Sequence, residues 1–285
     1  MKNPENKFLG QTTAYDQAKV VVMPVPLELN VSYGKGTKKG PSAILKASDH
    51  LEDYDIELGA EPARAGINTL AFIRQTSPAE KMLTILEKAA GRPLRDRKFL
   101  ITLGGEHTLS IATANAALAV YPDLSILHFD AHTDCRKEYA GDPFSHACAL
   151  YRIRERNKNT YSVGIRSVGS EELAYLKEEA VRISYARDII ENGFPTKKIL
   201  DGLTEHVYIS FDVDAFDPAV LEETGTPEPG GLQWYPTLAL LKQVFRAKNV
   251  VGADIVELAP DPDHPAADFT AAKLAYKMIG YKFCQ

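Results

Sequence analysis

Seven short runs rich in Val, Ile and Leu, at 19–25, 99–103, 124–129, 160–164, 181–184, 207–211 and 250–256, alternate with segments of helical pattern. The helical segments run 41–51, 78–90, 110–121, 144–157, 170–179, 196–203, 235–247 and 268–279. Several carry start signals, such as Pro41 in a first turn and Thr108 or Ser110 as N-cap. Near-continuous apolar strands alternating with helices predict an α/β fold with a parallel sheet covered on both faces. No linker, internal repeat or low-complexity segment interrupts the alternation, and 227–231 reads as loop, so residues 1–285 are expected to form one domain.

In such sheets ligands collect beyond the carboxyl ends of the strands, and three of these runs end in metal-binding chemistry. The run 124–129 leads into Asp130-Ala-His132-Thr-Asp134, and 207–211 into Asp212-Val-Asp214-Ala-Phe-Asp217-Pro218. A spacing of two in extended chain keeps side chains on one face. The run 99–103 leads into Gly104-Gly-Glu106-His107 and adds an imidazole. Aspartates two apart also mark solvated turns and Asp caps, but three such segments at three strand ends favour a metal site. Asp130, Asp134, Asp212 and Asp214 together cannot all stay ionised in one crevice without cations, because like charges and desolvation raise carboxylate pKa. Four aspartates with His107 and His132 suit two divalent cations better than one. Asp217, before Pro218, is expected to support the loop rather than bind metal.

Composition narrows the function. A net charge of −5 gives no basic footprint for nucleic acid, and no run approaches the roughly 18 apolar residues of a membrane span. The N-terminal stretch 1–7 is polar and lacks the apolar core of a signal peptide. Cys135, Cys148 and Cys284 lack zinc-type spacing and read as reduced thiols, so a cytoplasmic protein is expected. Cys135 abuts the metal motif but should point away from it.

The ordered set Gly104-Gly-Glu106-His107, Asp130-Ala-His132-Thr-Asp134, Ser210-Phe-Asp212-Val-Asp214, Gly225-Thr226-Pro-Glu-Pro-Gly-Gly231 and Asp254-Ile-Val-Glu257 resembles the ureohydrolases, the arginase/agmatinase superfamily, and within it most resembles the agmatinases. The resemblance covers almost the whole chain. It implies a three-layer α/β/α sandwich, two Mn2+ ions per subunit, and hydrolysis of a guanidinium group to urea and an amine. It also implies a trimer or hexamer. By position, His107, Asp130, Asp134 and Asp212 would hold one ion and Asp130, His132, Asp212 and Asp214 the other, with Asp130 and Asp212 bridging. Carboxylate-rich sites suit manganese more than zinc, and iron, cobalt and nickel share these ligand types.

The same resemblance makes Glu257 the guanidinium-binding carboxylate, His146 the proton shuttle to the leaving amine, and Thr226 a hydrogen-bond donor near the guanidinium. A carboxylate offers the paired acceptors that a guanidinium fits, and imidazole titrates near working pH. The expected substrate is small and cationic, with agmatine cleaved to putrescine and urea; 4-guanidinobutyrate, arginine or guanidine are the alternatives, and a non-catalytic metal-binding relative is a further one. An acidic distal lining would help hold an amine tail, with Asp142 and Glu138 as candidates. His128 is expected to be a satisfied core or interface histidine, and His264 to shape the pocket edge. Two departures from the family pattern are Glu106, where many relatives have Asp, and Leu45, where an arginine is frequent; Thr108 replaces a common Ser.

Overall fold

Each apolar run forms a strand. In the computed structural model, which describes residues 6–284, these are β1 (Val20–Val25), β3 (Phe99–Gly104), β4 (Ser125–Phe129), β5 (Thr160–Ile165), β6 (Arg182–Tyr185), β7 (His206–Asp212) and β8 (Asn249–Val256). Most of the polar N-terminal stretch 1–7 lies outside the described residues. An eighth strand, β2 (Ile67–Thr69), was not expected from the sequence. It is three residues long and pairs only with β1 at the edge.

The eight strands form one sheet in the order β2-β1-β3-β8-β7-β4-β5-β6, and every pair is parallel. Alternate residues of each strand face opposite ways. Val20, Val22, Ile101, Leu103, Phe129 and Phe211 enter one core. It is covered by α1 (Gly40–Ser48), α6 (Ala186–Asn192), α7 (Thr196–Asp201), α8 (Trp234–Ala247) and α9 (Ala266–Phe283). Val21, Met23, Val25, Leu100, Ile126 and Tyr208 enter the other core, under α2 (Ala79–Arg95), α3 (Leu109–Val120) and α4 (Ala149–Arg156). The short α5 (Leu173–Glu178) adds Leu176 to a small cluster with Cys135 and Leu150. This is the three-layer α/β/α sandwich. Among the described residues no helix is long and apolar enough to cross a membrane.

The helices depart from expectation where packing overrides local preference. α2 continues past Gly91 and Pro93 to Arg95, because Gly91, Pro93 and Leu94 are buried there. α6 lies in a stretch with no expected element, and it buries only Ala186 and Ile189.

Strand order positions the site. The central four strands run β3-β8-β7-β4, so the segments after their carboxyl ends are neighbours in space although far apart in sequence. Phe129 of β4 lies opposite Phe211 of β7, with their rings stacked at 4.8 Å, so the next residues, Asp130 and Asp212, come out level.

Candidate metal centre and its cavity

The turn after β3 is held tightly against the segment after β1. Gly105 N donates to Val25 O and Glu106 N to Leu27 O, at 2.9 and 2.8 Å. A Cβ at Gly105 would lie 1.9 Å from Leu27 O, so only glycine allows this approach. The turn delivers His107 to the sheet's carboxyl edge, almost fully buried. Its Nδ1 lies 3.2 Å from Asp130 Oδ2, 3.2 Å from Asp134 Oδ2 and 3.3 Å from Asp212 Oδ2. Nδ1 and Asp130 Oδ2 are buried without a hydrogen-bond partner.

The other ring nitrogen determines what Nδ1 can do. His107 Nε2 is 2.9 Å from Ser210 Oγ, and Ser210 Oγ donates to Asp254 Oδ1 at 2.8 Å. Because the hydroxyl's only proton is committed to Asp254, Ser210 accepts from Nε2–H. In the neutral ring Nδ1 therefore carries a lone pair, aimed at three carboxylates. That arrangement is repulsive unless a cation lies between them, as in a metal-ligating histidine oriented through its other nitrogen.

A second donor set adjoins the first. His132 Nδ1 lies 2.9 Å from Asp214 Oδ2 and 3.6 Å from Asp130 Oδ1. Asp130 thus turns one oxygen to each set. Backbone amides fix the carboxylates: His132 N donates to Asp130 Oδ1 at 2.6 Å, Ala131 N to Asp214 Oδ1 at 2.9 Å, and Asp214 N to Asp212 Oδ1 at 2.8 Å. Asp134 holds a left-handed backbone (φ 50°) to turn its carboxylate in, at a cost of about 1–2 kcal/mol.

Charge crowding is the governing electrostatic fact. Burial, and then Asp214 and Asp130, drive Asp212 well above the carboxylate range; burial and Asp130 raise Asp214 as well. Burial opposes charging His107, yet the surrounding Asp130, Asp134 and Asp212 carboxylates raise it far above the imidazole range. Burial likewise opposes charging His132, which Asp130 and Asp214 push up to about 12. The protein alone must borrow protons for this cluster, and the donor set fits divalent cations in their place.

His128 corrects an expectation. It is not a core histidine apart from the site: its Nε2 lies 2.9 Å from Asp130 Oδ2, and its ring centroid is 5.2 Å from that of His107. Its Nδ1 is 3.1 Å from Ser162 Oγ on β5, which fixes the ring. His107, His128, Asp130 and Asp134 form one cluster of possible ligand atoms, and Asp130, His132 and Asp214 form another. The period of two that groups aspartates on one face also puts His128 beside Asp130.

Above the cluster lies a polar cavity of about 200 Å³. His132, Asp134, Asp212, Asp214, Thr226, His146 and Glu257 all line it. Glu257 follows β8 with a left-handed backbone (φ 65°), held by its N–H donating to Gly105 O at 2.8 Å. Its Oε1 accepts from His107 N at 2.6 Å and lies 3.3 Å from His146 Nδ1. Burial opposes charging His146, but Glu257 raises it to about 9. Glu106 is pushed up to about 7, by burial and then by the Glu257 charge. Thr226 Oγ1 donates to Asp214 Oδ2 at 3.4 Å.

Several residues stand elsewhere than expected. Asp142 is not among the lining side chains; its carboxylate takes Phe144 N at 2.8 Å and Asn30 Nδ2. The exposed His264 pairs with Asp261 at 3.0 Å, outside the cavity lining. The cavity wall instead includes Arg136, balanced by Glu171 at 2.7 Å, together with Tyr139, Ser167 and Ser32. Asp217 behaves as a loop support, accepting from Ala219, Gly230 and Gly231 N at 2.9–3.0 Å. Cys135 is a free, buried thiol, pushed far above the ordinary thiol range by burial and then by Glu172.

Residues 18–280 match the sequence model of the Arginase family. The N(1)-aminopropylagmatine ureohydrolase of Thermus thermophilus is 39% identical over 279 residues, covering 98% of this chain and 95% of that protein. The agmatinase of Bacillus subtilis is 35% identical over 282 residues, covering 95% and 94%. Among solved structures, the agmatine ureohydrolase of Thermoplasma volcanium superposes with a TM-score of 0.89 at 31% identity, over 97% of this chain and 94% of that one.

Proposed function

The chain belongs to the arginase family as an agmatinase-like ureohydrolase, and from that premise we propose that it hydrolyses the guanidinium of agmatine to urea and putrescine at a pair of manganese ions. The observation that carries this reading is a cavity in which Glu257 and His146 stand 3.3 Å apart beside four buried aspartates and two histidines. His107, Asp130, Asp134 and Asp212 would hold one ion, and Asp130, His132, Asp212 and Asp214 the other. When bound, a divalent pair supplies the Lewis acidity that makes water a nucleophile near neutral pH.

The chain's own groups do the rest. Glu257 Oε1 is occupied by His107 N, which leaves Oε2 to accept guanidinium N–H and orient the carbon toward the ligand cluster. Thr226 offers a hydroxyl on the same cavity wall. With its pKa near 9, His146 is protonated at neutral pH and can pass its proton to the departing amine nitrogen. The carbon–nitrogen bond breaks as the water oxygen bonds to carbon, giving urea and the free amine.

A second substrate is supported by the relatives. The proteins at 39% and 36% identity from Thermus thermophilus and Synechocystis are named N(1)-aminopropylagmatine ureohydrolases. That compound presents the same guanidinium with an aminopropyl extension. Urea release by manganese-loaded protein with agmatine, aminopropylagmatine, arginine, 4-guanidinobutyrate and guanidine tests both readings. Agmatine turned over best is expected; aminopropylagmatine turned over best would transfer the assignment to the longer amine. No urea from any of the five would overturn the hydrolase reading.

A further inference from the structure

Residues 26–36 leave the end of β1 and reach the turn Thr37–Lys39 without helix or strand. The segment is nonetheless tied down at both ends and in the middle. Glu28 Oε2 accepts from Gly36 N at 2.6 Å, closing the segment on itself. Gly34 N donates to Gly225 O at 3.0 Å, and a Cβ at Gly34 would come within 2.7 Å of that oxygen. This strap contributes Ser32 to the cavity wall.

The middle tie comes from a group that the chemistry above does not use. Glu106 is completely buried in the turn after β3. Its Oε2 accepts from Leu29 N at 2.6 Å and Asn30 N at 3.1 Å, while its Oε1 has no partner. The tie continues outward: Asn30 Nδ2 donates to Asp142 Oδ2, and Asp142 Oδ1 accepts from Phe144 N at 2.8 Å. Asp142 also exchanges backbone hydrogen bonds with Tyr139, at 2.9 and 3.0 Å, and Tyr139 lines the cavity. One buried carboxylate therefore fixes two stretches of the wall, through Ser32 and through Tyr139.

We infer that Glu106 is a positioning residue that clamps the strap at Leu29 and Asn30 and, through Asn30 and Asp142, sets the wall against which the amine-bearing tail of a guanidino substrate lies. The inference rests on the proposed function for the identity of the tail, but the clamp itself is independent of it. What the clamp needs is reach and two acceptor lone pairs rather than charge. Aspartate is one methylene shorter and cannot span the same gap from the same backbone, whereas the carbonyl oxygen of glutamine can accept both amides.

Glu106→Asp, Glu106→Gln and Asn30→Ala, each in the full manganese-loaded protein, separate these requirements. Hydrogen exchange at the Leu29 and Asn30 amides should quicken about tenfold in Glu106→Asp, the loss of roughly one hydrogen bond, and stay near the parent's in Glu106→Gln. Asn30→Ala should loosen 139–144 instead. Bound manganese should match the parent in all three. With agmatine, KM should rise about tenfold in Glu106→Asp and Asn30→Ala, with kcat within about threefold, and Glu106→Gln should behave like the parent. Lost manganese in Glu106→Asp, or Glu106→Gln impaired while Glu106→Asp is not, would overturn the inference. A parent without activity on any guanidino compound would defeat the functional reading alone, because the exchange measurements still decide the clamp.

Discussion

Replacing Ser210 by alanine tests whether the cluster is built to present His107 Nδ1 to a cation. The hydroxyl sits between His107 Nε2 (2.9 Å) and Asp254 Oδ1 (2.8 Å), on a strand residue only 1% exposed. Its removal strands one buried donor and one buried acceptor, each worth about 1–3 kcal/mol. Asp254 keeps a donor in Thr113 Oγ1 at 3.1 Å on its other oxygen, so the total should fall in the lower half of a 2–6 kcal/mol range. Part of the loss should appear as weaker metal binding, because the ring is then free to rotate and Nδ1 no longer has its lone pair fixed inward. Loss of such an outer partner costs metal affinity roughly 10–100-fold. A chelator-competition titration with manganese measures this part, and thermal unfolding of the metal-free protein measures the rest. A variant that unfolds earlier yet binds manganese as tightly as the parent would refute the argument that Ser210 dictates the ring's orientation.

Glu257→Gln should bind manganese as the parent does, since its carbonyl can still accept from His107 N, while kcat/KM falls by the roughly 2–5 kcal/mol of a buried charge pair that loses one partner, about 30- to 5,000-fold; a change under fivefold, measured by urea release, would remove it from guanidinium binding. The proposed proton-donor role of His146, with Glu257 raising its pKa to about 9, predicts that the parent's kcat/KM declines as pH rises through about 9. His146→Gln should lose that alkaline limb and about 10²–10⁴ in turnover, and a limb that survives the substitution would assign it to another group. His128→Phe keeps a ring of similar shape but removes the nitrogen 2.9 Å from Asp130 Oδ2; manganese affinity should drop about tenfold with unchanged circular dichroism, and unaltered affinity would make His128 mere packing.

The floor of the site was legible because its spacing is covalent. Asp130, His132, Asp134, Asp212 and Asp214 sit at strand ends, where a period of two and the end of an apolar run are both visible in the chain. Read strictly, the same period places His128 beside Asp130, and the structure puts it there. What the chain does not display is the order β3-β8-β7-β4, since nothing within 99–104 or 249–256 announces that the two pair. β2 escaped for a simpler reason: three residues are too few to display a period.

The wall of the cavity is legible least, and physics explains why. It depends on ties such as Asn30 to Asp142, 112 residues apart, between loops that have no repeat and no obligatory partner. Asp142 looked like a substrate carboxylate because it is acidic and follows the metal motif; in the fold its charge is spent on Asn30 and on Phe144 N. Arg136, a cation in a cavity read as taking a cation, is offset by Glu171 at 2.7 Å, 35 residues further along the chain, and by the adjacent Glu172 at 4.0 Å. The proposed ligands would have to satisfy metal geometry and leave little room for change, whereas these loop ties can be rebuilt without disturbing a single aspartate. Selection for a longer or shorter amine tail should therefore act on 28–36 and 135–145, and swapping those two stretches alone between this chain and a relative of different tail preference should move KM while leaving bound manganese as it was.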